Sequence, residues 1–158
     1  MGILTDDMKR VVRQQRMGFM ATVCPDGSPN LSPKGTLSVW DDYHLVFADI
    51  ASPTTISNLS VNPAFELNVL DGFIRKGYRF KGVASFITSG ELFDLMKHSF
   101  ETGSNGIHKS LLPTSRYVLL LIQDAREFIS PAYTPDRTEQ DMRDQWSDYW
   151  SAVQEDNS

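Results

Sequence analysis

The sequence predicts a mainly β fold, an antiparallel barrel of six strands with helices at its periphery. Strand-like runs rich in Val, Ile, Phe and Tyr recur at short intervals, three of them within residues 18–50 and three more after residue 63. The connections between these runs are too short for repeated βαβ crossovers. Helical spacing is confined to four segments that punctuate the strands.

In chain order, Asp6 and Asp7 suit the first turn of a helix, and Met8, Val11 and Val12 give it an apolar side, so a helix is expected over Thr5–Gln15. In the first strand Phe19, Ala21 and Val23 alternate with Met20, Thr22 and Cys24. "PDGSP" is a turn by composition, and Asp41-Asp42 marks a second. A strand ending at Ala48-Asp49 then meets "SPTTISNLSVNP". Ser52 reads as an N-cap, Pro53 as the first helical residue, and Ile56 and Leu59 as the buried side of about two turns. Asn62-Pro63 ends that helix, because a residue before proline is pushed out of the helical region.

"AFELNVLD" follows as a strand with Phe65, Leu67 and Val69 on one face. "GYRFKGVASFIT" comes next, with Tyr78 and Phe80 opposite Arg79 and Lys81. Leu92, Phe93, Met96 and Phe100 form a helical stripe of the kind that packs a core. "RYVLLLIQDAREFI" is a strand expected to be buried on both faces at its centre. A last helix is expected at about 136–154, where Met142, Trp146, Tyr149, Trp150 and Val153 share a stripe that wants a partner surface.

At 158 residues, 41% apolar and 22% charged, the chain is expected to form a single domain of ordinary globular composition. The net charge of −5 lies wholly in the segment from Asp136 onward, where seven acids meet Arg137 and Arg143, which argues against a general nucleic-acid binder. No apolar run approaches the ~20 residues of a membrane span. The N-terminus lacks a signal-peptide pattern, Asp6 falls where a myristoylation motif has Ser or Thr, and Cys24 is the only cysteine. These features predict a cytoplasmic protein.

The three histidines sit in different elements without ligand spacing. No zinc, Walker-type, nucleophile-elbow or dinucleotide-binding run occurs. Any difficult chemistry would belong to a bound cofactor. The short helix starts among hydroxyls, Ser52, Thr54, Thr55 and Ser57, and free N–H groups at a helix start favour phosphate. Two readings of this crowding stay open on the residues alone: Ser52 merely caps the helix, or the turn holds an anion.

The succession of helix, strand, turn, "PNLSPKGTLSVW", "YHLVFADIASPTTISNLSVNPAFELNV" and "GYRFKGVASF" resembles the pyridoxamine 5′-phosphate oxidase-like family of flavin-binding split barrels. The tail "SPAYTPDRTEQDMRDQW" looks like that of a subgroup of small members. The resemblance runs from about residue 5 to 150, and its most specific part lies between 45 and 70. It implies a six-stranded split barrel, a homodimer, and FMN held between the subunits. The phosphate cradle would fall on Lys34 with Ser32, Pro33, Gly35 and Thr36, and on the turn Ser52, Pro53, Thr54 and Thr55. Backbone between Ser32 and Thr36 would face the flavin ring.

Departures from the family pattern narrow the activity. Pro53-Thr54-Thr55 stands where the oxidases carry Ser-Arg-Lys, and Ser38 replaces a second strand lysine. Arg79 or Lys81 would have to supply the missing charge, and vitamin B6 oxidation is not expected. The resemblance implies an FMN-dependent oxidoreductase passing electrons between a small-molecule donor and acceptor. The alternatives are a non-catalytic flavin- or haem-binding protein and a deazaflavin-dependent reductase.

Overall fold

The computed structural model describes residues 2–110 and 112–156. Helix α1 (Asp6–Gln15) precedes strands β1 (Gly18–Val23), β2 (Pro29–Lys34), β3 (Ser38–Val39) and β4 (His44–Ala48). Helix α2 (Pro53–Val61), strands β5 (Ala64–Asp71) and β6 (Lys76–Ile87), helix α3 (Glu91–Thr102), strand β7 (Tyr117–Ile129) and helix α4 (Glu139–Asp156) follow. The strands pair antiparallel throughout, in the order β2-β1-β5-β6-β7-β4-β3.

Seven strands are therefore described, not the six expected. The segment 29–39 breaks at residues 35–37, and its halves take opposite edges of the sheet. Four residue steps separate Lys34 from Ser38, at most about 14 Å of extended chain. The sheet must curl until its edges almost meet, and the result is a split barrel. A bulge between Lys81 and Gly82 adds to the curl, since β7 has one residue more than β6 there. Gly82 is needed at this bend because a Cβ would run into the carbonyl oxygen of Leu121.

Strand alternation sorts side chains between two cores. Met20, Phe47, Leu67, Val69, Phe80 and Leu120 point inward, and α1 closes that interior with Met8, Val11 and Val12. On the outer side, α3 lays Met96 and Phe100 against Val46, Ala48 and Tyr117. Strand β7 is thus buried on both faces only near its start, where α3 covers it. Farther along, Leu121 and Ile129 are exposed, so the burial expected at its centre is displaced toward one end.

The local signals act as expected at several ends. The Thr5 side chain accepts from Met8 N at the start of α1, and α2 ends at Asn62 before Pro63. In the β1–β2 turn Asp26 accepts from Ser28, and in the β3–β4 turn Asp41 accepts from the amides of Tyr43 and His44. Helix α4 begins at Glu139 rather than near 136, because Thr138 and Asp141 exchange hydrogen bonds as a helix-starting pair. No helix among the described residues is long and apolar enough to cross a membrane.

Candidate functional site

Strand β2 delivers Lys34 to the start of α2, and the two elements meet through hydroxyls. Lys34 Nζ donates to Ser52 Oγ at 3.1 Å, to Thr55 Oγ1 at 3.2 Å, and to Ser32 Oγ. The lysine is only 3% exposed and Thr55 only 1%. Phe47 lies beneath the ammonium, 5.5 Å from Nζ to the ring centroid, a cation–π distance. No carboxylate of the described residues pairs with Lys34. Burial pushes its ammonium below the usual lysine range, and the more distant Asp49 offsets part of that effect.

Ser52 stands at the N-cap position and Pro53 opens the helix, as the sequence predicts. The Ser52 side chain, however, makes no capping hydrogen bond. Its oxygen serves Lys34 instead, so the capping reading fails at the level of the bond while the helix itself stands. The first turn of α2 keeps its N–H groups without a side-chain cap, beside a buried cation lacking a counter-ion. Such a pair of features suits an anion.

A cavity of about 280 Å³ opens beside this cluster, lined by Pro33, Lys34, Gly35, Thr36, Ala48 and Ser52, with Ile50 and Ala51 completing the wall. Thr36 Oγ1 donates to Ala48 O at 3.1 Å and accepts from Ala48 N at 3.0 Å, fixing the β2–β3 connection to the end of β4. Two residues that sequence reasoning missed hold α2 in place. Asn58 Nδ2 donates to Thr22 Oγ1 at 3.0 Å, both residues being 2% exposed. A polar residue in the second turn of the helix, between Ile56 and Leu59 of its buried side, was the available signal.

The structure thus gathers Ser32, Lys34, Ser52 and Thr55 into one hydrogen-bonded group, with Pro33, Gly35 and Thr36 on the adjoining cavity wall. Pro53 occupies the first helical position and Thr54 is exposed on the same turn. Arg79 and Lys81 stand elsewhere, on the outer face of β6. Both pair with Glu66 of β5, at 2.9 Å and 3.1 Å, and neither hydrogen-bonds to the Lys34 group.

The sequence pattern of the pyridoxamine 5′-phosphate oxidase family matches residues 4–123. No curated protein matches the chain significantly in sequence. Among solved structures, HupZ of Group A Streptococcus is 25% identical and superimposes with a TM-score of 0.68, over 82% of this chain and 98% of that one. An FMN-binding protein from Syntrophomonas wolfei is 17% identical, with a TM-score of 0.61 over 77% and 84% of the two chains. An F420 reductase is 16% identical, with a TM-score of 0.58 over 77% and 98%. The last two likenesses establish the fold alone. The family match spans α1 and every strand up to the middle of β7, including both halves of the Lys34 group, and on that ground the chain belongs to the pyridoxamine 5′-phosphate oxidase family.

Proposed function

We propose that the protein binds FMN and serves as a flavin-dependent oxidoreductase, with the Lys34 group as the phosphate cradle. The observation that carries this reading is a buried ammonium surrounded by hydroxyls, with no carboxylate to neutralise it. A buried charge is expensive unless it is paired. A phosphate would supply the missing charge and accept from Lys34, the hydroxyls of Ser32, Ser52 and Thr55, and the first N–H groups of α2. When bound, the flavin would supply the electron-transfer chemistry that the side chains of this chain lack. The chain's part is to fix the phosphate and, through the backbone from Ser32 to Thr36, to present donors to the ring.

A homodimer with the cofactor between subunits belongs to the same proposal. The outer face of β1 and β2 carries Phe19, 50% exposed, and Leu31, 66% exposed, with Val23 beside them. Small-molecule electron donor and acceptor would enter from the open side of the cavity.

The test is the spectrum and extracted cofactor of the purified protein, followed by titration of cofactor-free chain with FMN, riboflavin and F420. Flavin absorption bands, and FMN affinity at least tenfold above that for riboflavin, are expected. A haem Soret band, or tighter binding of F420, would replace FMN by the corresponding alternative. No discrimination between FMN and riboflavin would remove the cradle.

A further inference from the structure

Asp49 follows directly on β4, between Ala48 and Ile50, and both of these neighbours line the cavity beside Lys34. Arg116, which leads into β7, meets it there: Arg116 Nη1 lies 3.5 Å from Asp49 Oδ2. The backbone fixes this meeting independently of the charges. Asp49 N donates to Arg116 O at 3.0 Å, and Thr114 Oγ1 donates to Asp49 O at 2.6 Å. The guanidinium lies over Phe86, 5.2 Å from Cζ to the ring centroid, and its Nε is buried with no partner among the described residues. The Nη end is therefore the part of Arg116 left to form an ion pair, and Asp49 takes it.

This pair has a consequence for the Lys34 group. Asp49 is the carboxylate whose charge reaches Lys34. Only 18% of its side chain is exposed, so water screens it incompletely. An unheld carboxylate there would oppose an anion twice. It would repel the ligand, and it would offer Lys34 the counter-ion that a phosphate otherwise supplies. Lys34 and Asp49 alone sum to no net charge, and Arg116 restores one positive charge.

We propose that Arg116 is a positioning residue of the anion site: by holding Asp49 it keeps that carboxylate from neutralising Lys34, and so keeps the cradle selective for phosphate. The ligand in this inference rests on the phosphate-cradle reading, whereas the coupling of the three charges rests on the Asp49–Arg116 pair.

The experiment titrates cofactor-free variants with FMN and with riboflavin, and follows the Lys34 proton by NMR of a labelled Cε. Arg116→Met keeps an apolar stem against Phe86 and leaves the backbone ties in place. It should bind FMN about 3- to 30-fold more weakly, the effect of one uncompensated carboxylate near a phosphate, with riboflavin affinity nearly constant. Arg116→Lys, which keeps the charge, should retain most of the affinity. Asp49→Asn should bind FMN at least as tightly as the parent. Combining Arg116→Met with Asp49→Asn should recover the parent affinity to within about twofold. A double variant as weak as Arg116→Met would show that Arg116 acts on the ligand or the fold directly, and would overturn the proposal. Equal losses for FMN and riboflavin in Arg116→Met would overturn it as well. The Lys34 titration needs no ligand: Arg116→Met should raise, and Asp49→Asn lower, the pH at which Lys34 loses its proton. A titration unmoved by either change overturns the charge coupling even where FMN binds. A parent that fails to bind FMN while Lys34 titrates as expected would uphold the coupling and remove only the cradle reading.

Discussion

Lys34 Nζ donates to Ser52 Oγ across 3.1 Å and thereby takes the hydroxyl that would otherwise cap helix α2. One bond therefore leaves two features unsatisfied together, a cation without an anion and a helix start without a cap. Both become satisfied if a phosphate arrives. The arrangement exists before any ligand, so little has to be ordered on binding.

Replacing Lys34 separates the cost of the buried charge from its use. Lys34→Met keeps most of the apolar stem over Phe47 and removes the unpaired ammonium. The cofactor-free variant should melt at the parent temperature or above it. FMN affinity should fall about 10- to 150-fold, from a charged hydrogen bond worth roughly 1.5–3 kcal/mol, while riboflavin binding barely changes. Calorimetric melts and fluorescence titrations of the same preparations decide this. Equal losses for both ligands would assign Lys34 to folding instead.

The lowered Lys34 pKa gives that affinity a pH dependence of definite sign. Without ligand, the folded chain holds this proton less firmly than the unfolded chain, whose lysine has the ordinary value of 10.5. Stability of the cofactor-free protein therefore rises as pH climbs from the depressed pKa toward that value. A bound phosphate favours the ammonium, so binding takes up a proton over the same window and FMN affinity falls as pH rises. The ratio of parent to Lys34→Met affinity, measured from neutral pH upward, should shrink before the ordinary lysine range is reached. A ratio that stays constant throughout would mean that Lys34 does not meet the phosphate as an ammonium.

A second polar tie joins α1 to the barrel. Tyr78 Oη donates to Asp7 Oδ2 at 2.6 Å, and this bond with the Arg10 guanidinium holds the Asp7 carboxyl below the usual carboxylate range. Tyr78→Phe should cost about 1–2 kcal/mol near neutral pH, with the half-exposed Asp7 keeping the figure modest. Because the carboxyl pKa is lowered by folding, this contribution is complete above the ordinary aspartate value and fades as pH falls through the folded one. Parent and variant should therefore converge in denaturant midpoint in acid. A difference unchanged at low pH would show that ring packing, not the carboxylate, is the cause.

The outer face of β1 and β2 predicts the assembly state. Sedimentation of the parent at micromolar concentration should give about twice the 17.8 kDa chain mass. Leu31→Asp, at an exposed strand position, should leave the cofactor-free chain folded by circular dichroism yet shift it toward monomer and weaken FMN binding. A monomeric parent that binds FMN tightly would remove the interfacial placement.

Much of this fold was legible because period and punctuation agree. Tyr78 and Phe80 alternate with Arg79 and Lys81, and Pro53 and Pro63 bracket α2. The break of 29–39 into β2 and β3 was not legible, because the run reads as continuous extended chain, and only barrel closure sends its halves to opposite edges. In the site, Ser52 and Thr55 could be named from the hydroxyl-rich helix start, and Lys34 from the family resemblance alone. Their mutual hydrogen bonds could not, since 18 and 21 residues separate Lys34 from these partners and a hydroxyl can cap or solvate with equal ease. Asn58 and Thr22 escaped notice for the same reason: each is unremarkable in its own element, and only the packing of α2 on β1 pairs them.

The sharpest test of the cradle is to supply its missing anion from the chain. Ser52 sits at the N-cap of α2, where Asp caps as well as Ser does. In Ser52→Asp the carboxylate would pair with the Lys34 ammonium and also accept from the uncapped N–H groups. An analogous change at Thr55 is less clean, because that residue is 1% exposed and a longer side chain would overpack the site. The new charge should raise the melting temperature of the cofactor-free protein, since it neutralises a buried cation and favours the positive end of the helix, the latter by roughly 0.3–1 kcal/mol. It should also occupy the phosphate position and repel phosphate directly. FMN affinity should then fall by at least about an order of magnitude, with riboflavin affinity nearly constant. Stability and affinity move in opposite directions, which damage to the fold would not produce. Thermal melts with flavin titrations on parent and variant give the answer, and a Ser52→Asp protein that binds FMN as tightly as the parent would place the phosphate away from Lys34.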